Sequence, residues 1–151
     1  MRSGRLGAAI FGLLGCSQQT GNGASNPFVG SWSCTETVVE PDAGEGTSSS
    51  VLTVTAAANG KIIETATELS PVLGPTCTFT ASTSGSSFLW AATLDPGQCS
   101  VGPGVTLVYT TGTETVNGAT LTYEFPFTQM SDAGSAAGTV SAVCTKVDAS
   151  L

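Results

Sequence analysis

The sequence predicts an all-β fold, an eight-stranded antiparallel up-and-down β-barrel, and three observations predict it. Gly, Thr, Ser and Val are abundant, charged residues make up only 10%, and no stretch sustains a helical period. Eight apolar or alternating segments follow one another, separated by Gly-, Pro- and Asn-rich breaks. Cys34 and Cys144 fall in the first and last segments, both with the parity of the buried face. In a closed barrel those two strands are neighbours, so a bridge between them staples the seam; in an open meander they lie far apart.

The elements follow in order. Strand signals begin at Phe28, where Phe28, Trp32, Cys34 and Val38 share one parity and Ser31, Ser33, Thr35 and Thr37 the other. Glu36 has the inward parity beside Cys34. A buried carboxylate is costly unless paired or hydrogen-bonded, so Glu36 reads either as a polar ligand anchor or as a residue turned outward by strand twist. The second and third strands, 51–57 and 61–69, flank Asn59-Gly60, a strong hairpin signal because both central residues of a type I′ turn need positive φ. The fourth and fifth, 76–81 and 87–94, flank Ser84-Gly85-Ser86. The sixth and seventh, 105–116 and 119–128, flank Asn117-Gly118, and the eighth is 139–147. Alternation is clearest in the seventh, where Leu121, Tyr123, Phe125 and Phe127 share one face.

Tight connections alternate with long ones. The connections at 40–50, 70–75, 95–104 and 129–138 are long and rich in Gly and Pro, so one end is expected to be closed by tight turns and the other ringed by loops. Inward candidates are Phe28, Trp32, Leu52, Val54, Phe79, Trp90, Leu107, Tyr109, Tyr123, Phe125 and Val140. An eight-stranded barrel is just wide enough to be filled by such side chains or to hold one small molecule.

With Cys16 set aside, the other four cysteines read as two disulfides with three possible connectivities. Barrel closure favours Cys34–Cys144, which leaves Cys77–Cys99. Hairpin register about Gly85 sets Cys77 opposite about residue 93, so the second bridge requires a fold-back at Asp95-Pro96-Gly97. No Cys-x-x-Cys spacing and no histidine support a metal site. The acidic loop 40–45 lacks the regular ligand spacing of calcium loops.

The formal net charge is −7. Without Arg2 and Arg5 it becomes −9, and only Lys61 and Lys146 remain as cations. That excludes nucleic-acid binding, which needs basic groups to displace phosphate counterions. The lack of histidine removes the usual general base, and no serine sits beside a recognisable one; no catalytic residue and no cofactor are expected.

Arg2 and Arg5, the apolar run 8–14, and Leu13-Leu14-Gly15-Cys16 resemble the leader and lipobox of bacterial lipoproteins. The apolar run is too short to span a bilayer, which takes about 20 residues. The resemblance implies that 1–15 is a removed signal peptide and that Cys16 is lipidated and anchors the chain in the bilayer. Residues 16–27 would then form a flexible tether and 28–151 the barrel. It also implies a cell-envelope location, with Ser17 compatible with the outer membrane, on its periplasmic or surface face.

Gly30-Ser31-Trp32 resembles the Gly-x-Trp signature of lipocalins and other calycins. In that family the Trp packs across the closed end and ligands enter at the opposite mouth. The helix that follows the lipocalin strands has no counterpart here, and the sequence does not identify the basic residue that packs on the Trp. An immunoglobulin-like β-sandwich is the alternative, since Cys77, Trp90 and Cys144 approach that fold's spacing. Against it, Ala142 stands where the corner tyrosine belongs, and three strands precede Cys77 instead of one.

Two functions follow. One is a lipocalin-like binding module taking a small apolar ligand, with Glu36, Trp90, Tyr109 and Tyr123 as candidate ligand residues. The other is a structural or protein-interaction lipoprotein of the envelope with a filled, ligand-free barrel. Cavity volume separates them: room for a water or two opposes binding, and about 300–1,000 Å³ favours it.

Overall fold

Among the described residues, ten strands form one antiparallel sheet that closes on itself. The structure, a computed structural model, describes residues 26–41, 44–68, 76–85 and 90–147. The expected leader 1–15, Cys16 and the tether as far as residue 25 lie outside the described residues, as do parts of the connections at 42–43, 69–75 and 86–89. The strands are β1 (Gly30–Glu40), β2 (Gly44–Ala56), β3 (Lys61–Glu68), β4 (Thr76–Gly85), β5 (Trp90–Leu94), β6 (Gly97–Gly102), β7 (Val105–Tyr109), β8 (Thr113–Asn117), β9 (Thr120–Ser131) and β10 (Gly134–Val147). Eight of them, β1-β2-β3-β4-β5-β8-β9-β10, close the ring, with β10 paired back to β1. The fold is thus a closed eight-stranded barrel and not a sandwich.

The remaining two strands are continuations. β5–β8 pairs Thr93 with Thr113, and β6–β7 pairs Gly97 with Tyr109 in the same register, so one long hairpin is interrupted at 95–96 and 110–112. The interruption reverses the inward parity. Ala92 and Leu94 are buried before it and Cys99 packs on the core after it; Tyr109 is buried before it and Glu114 and Val116 after. Gly112 is needed there, because a Cβ would collide with the backbone and Cβ of β9 at Glu124 and Phe125. Pro126, which has no N–H to donate, sits where the partner of β9 changes from β8 to β7.

Three of the four expected long loops are strand instead. β2 starts at Gly44 and pairs it with Glu40, β6 and β7 meet through Pro103-Gly104, and β10 starts at Gly134 opposite Ser131. The first and last of these stretches are rich in Ser, Gly, Ala and Thr and lack alternating hydrophobic residues, so only their backbone ladder marks them as strand, whereas in β6 only Cys99 and Val101 alternate. The fourth connection, 70–75, lies outside the described residues.

The turns at the other end also differ in detail. Asn59 and Gly60 take φ of 60° and 71°, the left-handed pair expected, within a three-residue loop. At Asn117-Gly118 only Gly118 is left-handed, at φ 60°, and Asn117 pairs with Thr120. Gly118-Ala119 therefore forms the turn, with glycine first as in type II′. β4 runs on to Gly85, which pairs with Trp90; extending this register sets Cys77 opposite Gln98, beside Cys99. The Cys77–Cys99 bridge forms without a fold-back.

Cys34 and Cys144 are directly paired across the seam and bridged. Nearer the closed end, Phe28, Trp32, Ile62 and Leu121 are fully buried. The Trp32 indole donates to the Phe28 carbonyl at 2.8 Å. Lys146, opposite Trp32 in the β1–β10 register, holds its Nζ 5.0 Å from the ring centroid and donates to the Pro27 carbonyl. Lys146 is the basic residue on the Trp that the sequence alone did not identify.

Candidate functional site

The mouth half of the barrel is not filled. A cavity of about 170 Å³ remains there, walled by Leu52, Phe79, Leu94, Leu107, Phe125 and Val140 and by the Cys77–Cys99 bridge. β1 contributes Glu36 and Val38, while Cys34 on the same strand lies nearer the closed end and does not line it. The volume exceeds that of a water or two and falls short of about 300 Å³, the lower range for drug-sized ligands. It is close to the roughly 150 Å³ that accommodates benzene in a dry apolar cavity.

Three carboxyl groups line it: Glu36, Glu64 and Glu114. Each is placed there by strand alternation. On β3 the inward face reads Ile62, Glu64, Ala66, and on β8 it reads Glu114, Val116. Glu36 is well supplied with donors. Ser50 and Tyr123 each donate to its Oε1 at 2.5 Å, and Ser48 donates to Oε2 at 3.4 Å. Tyr123 is raised above the ordinary phenol range by burial first and then by the Glu36 charge, so it remains a donor.

Glu64 and Glu114 differ from Glu36. They are 3% and 4% exposed, and Glu64 Oε1 and Glu114 Oε2 receive no hydrogen bond from any donor among the described residues. Burial without a counterion penalises both charges. Glu64 is pushed up to about 10 by burial, by the neighbouring Glu114 charge and by the hydrogen bond between them. Glu114 is also raised by burial, with the hydrogen bond to Glu64 working the other way. The pair therefore shares one proton, held on the Glu64 side, as two carboxyls in one site must.

Of the other candidate residues, Tyr123 meets Glu36 in the cavity wall, but Trp90 and Tyr109 do not line it. Trp90 has the inward parity, yet it begins β5 at the closed end, where it is half-buried against the core; height along the barrel excludes it. Tyr109 is consumed by packing. Its ring lies 4.9 Å from Phe79 and 6.0 Å from Phe125, it covers Gly97, and its hydroxyl donates to the Thr78 carbonyl at 3.4 Å. Among the described residues no group of three His, Cys, Asp or Glu is placed to hold a metal.

No family model matches the chain, and no curated protein matches it in sequence. Solved structures similar to it include two of unlike length. One is a protein of unknown function from the DUF3598 family of Nostoc punctiforme PCC 73102, 14% identical with a TM-score of 0.40, the match covering 81% of this chain and 48% of that one. This chain thus spans about half the length of the Nostoc protein. The other is Rv2717c from M. tuberculosis, 12% identical with a TM-score of 0.44, covering 81% of this chain and 94% of that one. At these scores neither likeness bears on activity or ligand.

Proposed function

We propose that this chain is a lipid-anchored bacterial envelope protein whose barrel binds one small, largely apolar molecule at its mouth. The cavity of about 170 Å³ supports the binding reading, since well-packed interiors leave few voids larger than a water. The lipobox-like Leu13-Leu14-Gly15-Cys16 supports the anchor. A tether entering at the Trp32 end leaves the opposite mouth facing away from the bilayer. The warrant from barrel architecture to ligand binding is analogy, so the test must look for the ligand itself.

Native mass spectrometry of the chain purified from membranes reads both parts. Loss of residues 1–15, a diacylated Cys16 and a small-molecule adduct removable by organic solvent are expected. Bare protein with an intact N-terminus contradicts the anchor, and lack of any adduct opposes the ligand. A filled barrel acting only through protein contacts predicts that second outcome.

A further inference from the structure

We propose that the cavity selects a small primary ammonium ion with a short apolar body, bound between Glu64 and Glu114. This deepens the small-molecule reading and rests on it. Four ionisable groups face the cavity: Glu36 from β1, Glu64 from β3, Glu114 from β8 and Tyr123 from β9. The lining from β2, β4, β5, β6, β7 and β10 carries none, since Cys77 and Cys99 are bridged. Among the described residues no cation answers these acids. Lys61 pairs with Asp95 at 2.6 Å and Lys146 lies on Trp32; the only other basic residues in the sequence are Arg2 and Arg5.

Glu36 is already satisfied by Ser48, Ser50 and Tyr123, so the unmet demand lies at Glu64 Oε1 and Glu114 Oε2. An ammonium supplies three donors and a positive charge, and it meets both oxygens at once. Charge-assisted bonds of this kind are about twice as strong as neutral ones. Apolar walls at Leu52, Phe79 and Phe125 suit a hydrocarbon body, and the volume limits that body to about the size of a benzene ring. On binding, the proton shared by the two carboxyls leaves to solvent and the ammonium takes its place. No covalent bond is made or broken.

Calorimetric titration of the purified full chain with benzylamine and with benzyl alcohol tests this at neutral pH. Benzylamine is expected to bind about tenfold or more tighter than the alcohol, a difference of the size that charge-assisted hydrogen bonds support. It should release a proton, seen as a binding heat that varies with the ionisation enthalpy of the buffer; the alcohol should release none. In Glu64→Gln/Glu114→Gln the amine should fall to the affinity of the alcohol, with alcohol binding kept as proof of an intact cavity. Should that variant bind neither, the wild-type preference and its proton release decide. Equal affinities in the wild type, or an amine preference that survives the double substitution, overturn the ammonium assignment and leave the small-molecule reading standing. No binding of either probe by the wild type overturns both.

Discussion

At the Trp32 end the barrel is closed by side chains that leave no room: Trp32, Phe28, Ile62 and Leu121 are fully buried, and the polar atoms of Trp32 and Lys146 find partners. At the mouth the same antiparallel ladder encloses a void, and two buried carboxyl oxygens find none among the described residues. One half is finished by packing and the other is left unfinished. The contrast teaches that stability and recognition occupy different heights of one barrel, which is also where rules of local consistency are expected to fail.

The largest expected effect separates the two disulfides. Cys34–Cys144 closes 110 residues of sequence and Cys77–Cys99 closes 22. Chain-entropy arguments then give about 5 kcal/mol for the seam bridge and about 3 kcal/mol for the cavity bridge. Replacing each pair by alanine and measuring urea unfolding should preserve that order. Equal losses would mean that the seam is not the main constraint on the unfolded chain.

A second contrast comes from truncating one side chain in each half. Trp32→Ala removes a fully buried ring and its hydrogen bond, and should cost about 3–5 kcal/mol. Leu107→Ala enlarges an existing void beside a half-buried side chain, so a loss of about 1–2 kcal/mol is expected in the same assay. Similar losses for the two would show the mouth to be as tightly packed as the closed end.

The inward face of β9 and the seam were legible in the sequence. Leu121, Tyr123, Phe125 and Phe127 alternate cleanly because one face of β9 is buried from Leu121 to Phe127. Cys34 and Cys144 marked the seam because closure alone makes the first and last strands neighbours. The two unpartnered acids of the mouth were much less legible. Glu64 escaped notice because adjacent Ile62 and Ile63 leave the parity of β3 ambiguous, and Ile63 turns out to be exposed. Glu114 escaped because the break at 110–112 reverses parity between Tyr109 and Glu114, and no residue pattern announces that reversal. Lys146 could be set on Trp32 only once the β1–β10 register was known.

The most direct test of an unfinished, acid-lined mouth is the pH dependence of unfolding free energy, compared between the wild type and Glu64→Gln/Glu114→Gln. In the folded chain Glu64 is raised from 4.5 to about 10, so between those values the folded state holds a proton that the unfolded state has lost. Stability from this pair is therefore greatest below about pH 4.5 and declines as pH rises, by at most about 1.4 kcal/mol per unit for one retained proton. The wild type should lose stability relative to the double variant steadily from pH 5 to pH 9. Two curves that run parallel across that range, or a wild type that gains on the variant as pH rises, would contradict a buried Glu64–Glu114 pair and with it the account of the mouth.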